Sequence, residues 1–115
     1  MGGDVEIQEQ RQGAVTVVRP GGPLCGVDAD QFRAHADGLM RRTLGRFVVD
    51  AGAIQFADSR GLEVLVEIGQ DLSQSGQTLR MCGCGETLRE IFELTGVESL
   101  FDHHLDVTAA VRSFL

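Results

Sequence analysis

Lysine, tryptophan and tyrosine are absent from this 115-residue chain, and proline occurs only twice. Without lysine, the Gly-x-x-x-x-Gly-Lys loop that cradles nucleotide phosphates cannot be built, which excludes a Walker-type ATP site. All ten basic residues are therefore arginines, against 17 acids, for a net charge of −7. Only Arg41 and Arg42 are adjacent. A polybasic membrane anchor and the clustered cations of a nucleic-acid face are both missing. No apolar run approaches the roughly 20 residues needed to cross a bilayer. Met1-Gly2-Gly3-Asp4 is neither cationic nor apolar, so no secretory signal is expected. The expectation is a soluble, cytoplasmic protein. Cys25, Cys82 and Cys84 are an odd number of thiols in such a chain, which argues for reduced cysteines over a disulfide framework. Six phenylalanines are the only large aromatics, so the core is expected to be mostly aliphatic.

What is present reads as alternating strands and helices in one domain, residues 1–115. Val5-Glu6-Ile7-Gln8-Glu9 alternates apolar and polar residues, Gln12-Gly13 makes a turn, and Ala14 to Val18 is rich in β-formers. Together they predict an opening hairpin. Pro20-Gly21-Gly22-Pro23 breaks the second strand. Asp28 and Gln31 have capping-box spacing, which predicts a first helix from about Ala29 to Leu44 with Gly45 as its stop. The apolar run from Phe47 to Phe56 reads as a strand. A second helix is predicted from about Arg60 to Ser73, its broad apolar face suggesting deep burial. Thr78 to Cys82 is a short strand, and a third helix carrying Leu88, Ile91, Phe92 and Thr95 stops at Gly96. Ser99-Leu100-Phe101 reads as a short strand or edge segment, and Asp106 as the cap of a last helix carrying Val107, Ala110, Val111 and Phe114. The fold class is α/β: a mixed sheet opened by a hairpin, with about four helices packed on it.

The most informative residue is Ser59, in Asp58-Ser59-Arg60-Gly61-Leu62, where an apolar strand gives way to an apolar helix. A hydroxyl at a helix start lies among backbone N–H groups without intrahelical partners, a good place for a phosphate. A serine-hydrolase elbow needs Gly-x-Ser-x-Gly, and Ala57 occupies the first glycine position. No spacing brings His35, His103 or His104 to Ser59 as a base. Gly83-Cys84-Gly85 resembles two of the dinucleotide-binding glycines, but Leu88 stands in place of the third, leaving a tight turn as the simpler account. Cys82, Cys84, His103 and His104 match no zinc spacing, so no metal and no cofactor is expected. The two cysteines read as small buried residues at a strand end. His35 and Arg41-Arg42 read as solvated positions near the first helix. Glu63 and Glu67, four apart near a helix start, read as water-facing carboxylates that favour the helix dipole.

The element order and the segment Phe56-Ala57-Asp58-Ser59-Arg60-Gly61-Leu62 resemble a STAS domain, the family of sulfate-transporter and anti-sigma-factor-antagonist domains. The resemblance covers nearly the whole chain. Gly22-Pro23-Leu24-Cys25 aligns without gaps to the family's Gly-Glu-Leu-Asp segment, with Cys25 in place of its Asp, and Leu94-Thr95-Gly96-Val97 resembles the stretch ending its third helix. Glu63 stands where a small residue is common. In the antagonist branch the serine after Asp is phosphorylated by an anti-sigma factor with serine kinase activity, and a serine phosphatase reverses the reaction. By resemblance, Ser59 is the phosphoacceptor, and Asp58, Arg60, Gly61, Leu62 and Cys25 form the docking surface. The resemblance implies a partner-switching protein and not an enzyme. The alternative is a regulatory or structural subunit of a transporter or signalling assembly without phosphate turnover.

Overall fold

Residues 6–115 are described in a computed structural model. Val5, at the head of the first predicted strand, lies outside the described residues. The opening hairpin is formed by β1 (Ile7–Gln12) and β2 (Val15–Pro20), with Gln12 opposite Val15 across a turn at Gly13-Ala14. Gly13 takes the positive φ that such a tight reversal requires. Three further strands, β3 (Phe47–Asp50), β4 (Leu79–Cys82) and β5 (Phe101–His104), add in parallel to give one sheet ordered β1-β2-β3-β4-β5. Parallel neighbours need crossovers, supplied by α1 (Gly26–Thr43), α2 (Ser59–Ser73) and α3 (Glu86–Thr95).

Strand alternation divides the interior in two. Val18, Phe47, Val49, Leu79 and Met81 face the main core, where Phe32 and Leu39 of α1, Val64, Leu65 and Ile68 of α2, and Leu88 and Phe92 of α3 pack against them. Full burial of each such side chain contributes roughly 1.5–3 kcal/mol. Val15, Val17, Val48 and Cys82 face the other way, toward Ala110, Val107, Val111 and Phe114 of and beside α4 (Val107–Arg112). Asp106 caps α4 as expected, its side chain accepting from the Ala109 N–H at 2.8 Å. Gly96 ends α3 in the left-handed conformation, and Gly83 supplies the positive φ of the β4–α3 turn.

The second strand runs on through Pro20, where a break was expected, and three other boundaries shift. The first helix begins at Gly26, not Ala29, and its N-cap residue, Cys25, makes no side-chain cap bond. β3 ends at Asp50 because that carboxylate turns the chain, with Oδ1 accepting from the Gly52 N–H and Oδ2 from Arg19, each at 3.0 Å. The strand expected at Ser99 starts at Phe101, after a short 3-10 turn over Glu98–Leu100.

Candidate functional site

The loops leaving β2 and β3 emerge at the same edge of the sheet and are joined to each other. Leu24 and Ala57 form a parallel bridge, the Leu24 N–H donating to the Phe56 carbonyl at 3.0 Å and the Asp58 N–H to the Leu24 carbonyl at 3.2 Å. α2 can approach this bridge only because position 61 is glycine: a Cβ on Gly61 would lie 2.0 Å from the Leu24 carbonyl oxygen. Asp58 then serves two helices at once. Its Oδ1 accepts from the Gly61 N–H at 2.8 Å, capping α2, and its Oδ2 accepts from the Gly26 N–H at 3.0 Å, at the start of α1. The N–H of Gly26, the first residue of α1, is thus satisfied by a carboxylate 32 positions further along the chain.

Ser59 is the first residue of α2 and is exposed. With Gly61 and Leu62 N–H groups donating to the Asp58 side chain and carbonyl, the N–H groups of Ser59 and Arg60 have no acceptor among the described residues. These are the free donors of a helix N-terminus, beside the serine hydroxyl. Arg60 is less available. Its guanidinium meets Asp30 of α1 at 2.6 Å, Glu63, and Glu67 at 3.5 Å, and these carboxylates hold its pKa above the usual arginine value. Glu63 and Glu67 thus converge on Arg60, where the sequence suggested carboxylates facing only water.

The proposed docking residues separate into two groups. Ser59 is exposed, and Asp58, Arg60 and Cys25 are half-buried at the rim. Gly61 is buried against Leu24, and Leu62 is turned partly inward onto the main core, so neither presents the open surface expected of it. The apolar surface at this junction comes instead from Phe56, 47% exposed, two residues before Asp58, and Val27, 57% exposed, next to the Gly26 that Asp58 holds. Phe56 was visible in the sequence motif. Val27 carried no local signal, because only the fold brings α1's first turn to α2's.

The other chemical candidates lie elsewhere. His35 is not simply solvated: it joins Arg42 on the Glu9 carboxylate, tying α1 to β1. His103 and His104 stand on β5, separated from β3 by β4. Cys82 is buried, and burial pushes its thiol up to about 12; Cys84 is likewise raised to about 11. Both are thiols at neutral pH. Among the described residues no group of three or more His, Cys, Asp or Glu side chains is placed to hold a metal ion, and no helix is long and apolar enough to cross a membrane.

Comparison with known proteins agrees with this arrangement. The sequence pattern of the STAS domain matches residues 6–110. BtrV of Bordetella bronchiseptica, named provisionally as an anti-sigma factor antagonist, is 28% identical over 93 residues, covering 81% of this chain and 80% of BtrV. An anti-sigma factor antagonist from Mycobacterium paratuberculosis superposes with a TM-score of 0.83 at 19% identity, over 98% of this chain and 96% of that one. Unphosphorylated SpoIIAA, also an anti-sigma factor antagonist, gives 0.76 at 17% identity over 95% and 96%, and the phosphorylated form of Bacillus SpoIIAA gives 0.69 at 18% over 94% and 99%. The five-stranded mixed sheet with its four helices is the STAS fold, and the chain belongs to the STAS domain family.

Proposed function

We propose that this protein is a phosphorylation-switched anti-sigma factor antagonist, acting in the cytoplasm as a single STAS domain. In its unphosphorylated form it binds an anti-sigma factor that is also a serine kinase; phosphorylation of Ser59 releases that partner, and a serine phosphatase restores binding. The observation that carries this reading is the exposed Ser59 hydroxyl at the start of α2, next to two backbone N–H groups with no acceptor among the described residues. The likeness to BtrV and to SpoIIAA, which exists in both phosphorylation states, supports the same reading.

The physical basis is electrostatic. A phosphoryl group adds about −1.5 to −2 charge and three acceptor oxygens. At a helix N-terminus that charge is favourable by about 0.3–1 kcal/mol, so the chain tolerates it locally. Arg60 is already committed to Asp30, Glu63 and Glu67, and Asp58 adds a further carboxylate, so a docked partner meets a dianion with little neutralisation from this chain. An interfacial penalty of about 3 kcal/mol would weaken binding more than a hundredfold.

Incubation with the cognate kinase and ATP is expected to add one phosphate to the wild type and none to Ser59→Ala, read by intact mass. Ser59→Ala is expected to keep partner affinity, and Ser59→Asp to lose at least about tenfold, because one charge stands in for two. Labelling of Ser59→Ala, or equal affinity for Ala and Asp variants, would refute the switch.

A further inference from the structure

At the sheet edge remote from Ser59, where the parallel strands begin, lies a cleft of about 630 Å³ between the hairpin and the end of α1. Arg11 of β1, Arg42 of α1 and Arg46, just before β3, line it together with Thr16, Leu44 and Gln77. Arg11 and Thr16 are cross-strand partners, and the Thr16 N–H donates to the Arg46 carbonyl at 3.1 Å, so strand pairing fixes the backbones that carry two of the guanidinium groups. Among the described residues no carboxylate lines the cleft, in a protein whose acids outnumber its arginines by 17 to ten. Arg42 shares Glu9 with His35, and among the described residues Arg11 reaches only the Gly13 carbonyl, at 3.5 Å. The guanidinium of Arg46 meets no hydrogen-bonding or ionic partner among the described residues, and it is exposed.

Leu44, at the rim of this cleft, gives a second and independent observation. It has φ of 54°, the left-handed conformation for which glycine is the usual choice at a helix end, and its side chain is 80% exposed. Burial does not repay an unfavourable backbone there, and strain of this kind points toward function. Gln77 steadies the turn by donating from Nε2 to the Leu44 carbonyl at 3.1 Å, which also occupies one of the helix-end carbonyls that would otherwise repel an anion. The cleft thus offers guanidinium forks suited to phosphate and one apolar side chain at its mouth. Its volume is that of a small-molecule site.

We propose that this cleft binds a small phosphate monoester, with Arg11 and Arg46 on the phosphate and Leu44 against the apolar substituent. The site is independent of Ser59 and of the reading given to it. The test is an NMR titration of the full chain at low ionic strength with phenyl phosphate and, separately, inorganic phosphate. Saturable shifts are expected at the amides of Thr16, Arg46 and Gln77 and at the Nε–H groups of Arg11 and Arg46. Arg46→Gln and Arg11→Gln should each weaken both ligands about tenfold, the effect of losing a charged hydrogen-bonding partner. Arg112→Gln, on exposed α4 surface, should change neither. Phenyl phosphate should bind several-fold tighter than inorganic phosphate, and Leu44→Gly should remove that advantage alone. Absence of saturable shifts by about 10 mM ligand, where even weak binding would register, would overturn the proposal. So would equal losses in Arg112→Gln, equal affinity for the two ligands, or tighter binding of a triglutamate peptide than of phenyl phosphate.

Discussion

Removing the Asp58 carboxylate tests whether one side chain holds both helix starts of the candidate site. In Asp58→Ala the Gly61 N–H loses its cap at 2.8 Å and the Gly26 N–H its acceptor at 3.0 Å. An N-cap is worth about 1 kcal/mol, and a hydrogen bond to a charged group about 1.5–3 kcal/mol. Because Asp58 is half-buried, the lower part of that range applies, and the expected loss is about 2–3 kcal/mol. For a chain of this length that is about 8–12 °C in Tm, measurable by circular dichroism and by urea titration at unchanged m-value. Asp106 is the internal reference, since it caps α4 through the single bond to Ala109, and Asp106→Ala should cost about 1 kcal/mol. Asp58→Asn separates the two bonds: the amide keeps one acceptor for Gly61 and turns a donor toward Gly26, so about 1.5–2 kcal/mol should be lost. If Asp58→Asn is as stable as the wild type, or Asp58→Ala costs no more than Asp106→Ala, the bond to α1 contributes nothing and the double-cap argument fails.

Two further stability outcomes follow from the packing. Gly61→Ala places a Cβ against a backbone carbonyl that cannot move alone and should cost about 3 kcal/mol, whereas Gly38, inside α1 with nothing within 4 Å, should gain about 0.5–1 kcal/mol as Ala; denaturant midpoints of the pair decide it. His103 has both ring nitrogens buried without hydrogen-bond partners among the described residues, and burial, then Arg89, lower its pKa from the ordinary 6.5. Its neutral form is therefore favoured in the fold, and its contribution is complete above pH 6.5 and lost as pH falls from there through the lowered folded value. His103→Phe, beside Phe92 and Phe101, should flatten the stability profile between neutral pH and this window; an unchanged profile would refute the assignment.

Local chemistry and long-range chemistry were unequally visible in the sequence. Gly96 and Asp106 announce a helix stop and a helix start because each acts within its own turn, and both do so in the structure. Asp28 and Gln31 imitate a capping box, yet α1 starts upstream of them, where the acceptor for Gly26 is supplied by Asp58 from another loop. The apolar run after Val49 imitates a longer strand. It stops because Asp50 bonds to Gly52 and Arg19, which no hydrophobic pattern records. At the site, Ser59 and Asp58 were legible from their junction between two apolar elements. The inward turn of Leu62, the exposed Val27 and the approach of Asp30 of α1 to Arg60 are set by how the elements pack, and only the fold shows them. The three arginines of the cleft, drawn from β1, α1 and the approach to β3, were invisible for the same reason.

The same bracing decides where the free energy of a phosphate at Ser59 is felt. A side chain free to move could turn toward the new charge and spread its effect through the fold. Asp58 has both carboxylate oxygens engaged, Arg60 is bridged to α1 and to its own helix, and Gly61 is packed on the Leu24 carbonyl. What remains to answer the phosphate is a pair of backbone N–H groups, whose favourable contribution is about 0.3–1 kcal/mol. In the proposed switch the greater effect falls on a partner covering Val27 and Phe56: its apolar contacts would require water to leave this surface, and a dianion beside them would keep that water. On this reading the exposed valine and phenylalanine supply affinity, while the serine decides whether it can be realised. In the proposed switch, a rigid junction would let one hydroxyl control binding without refolding the chain around it.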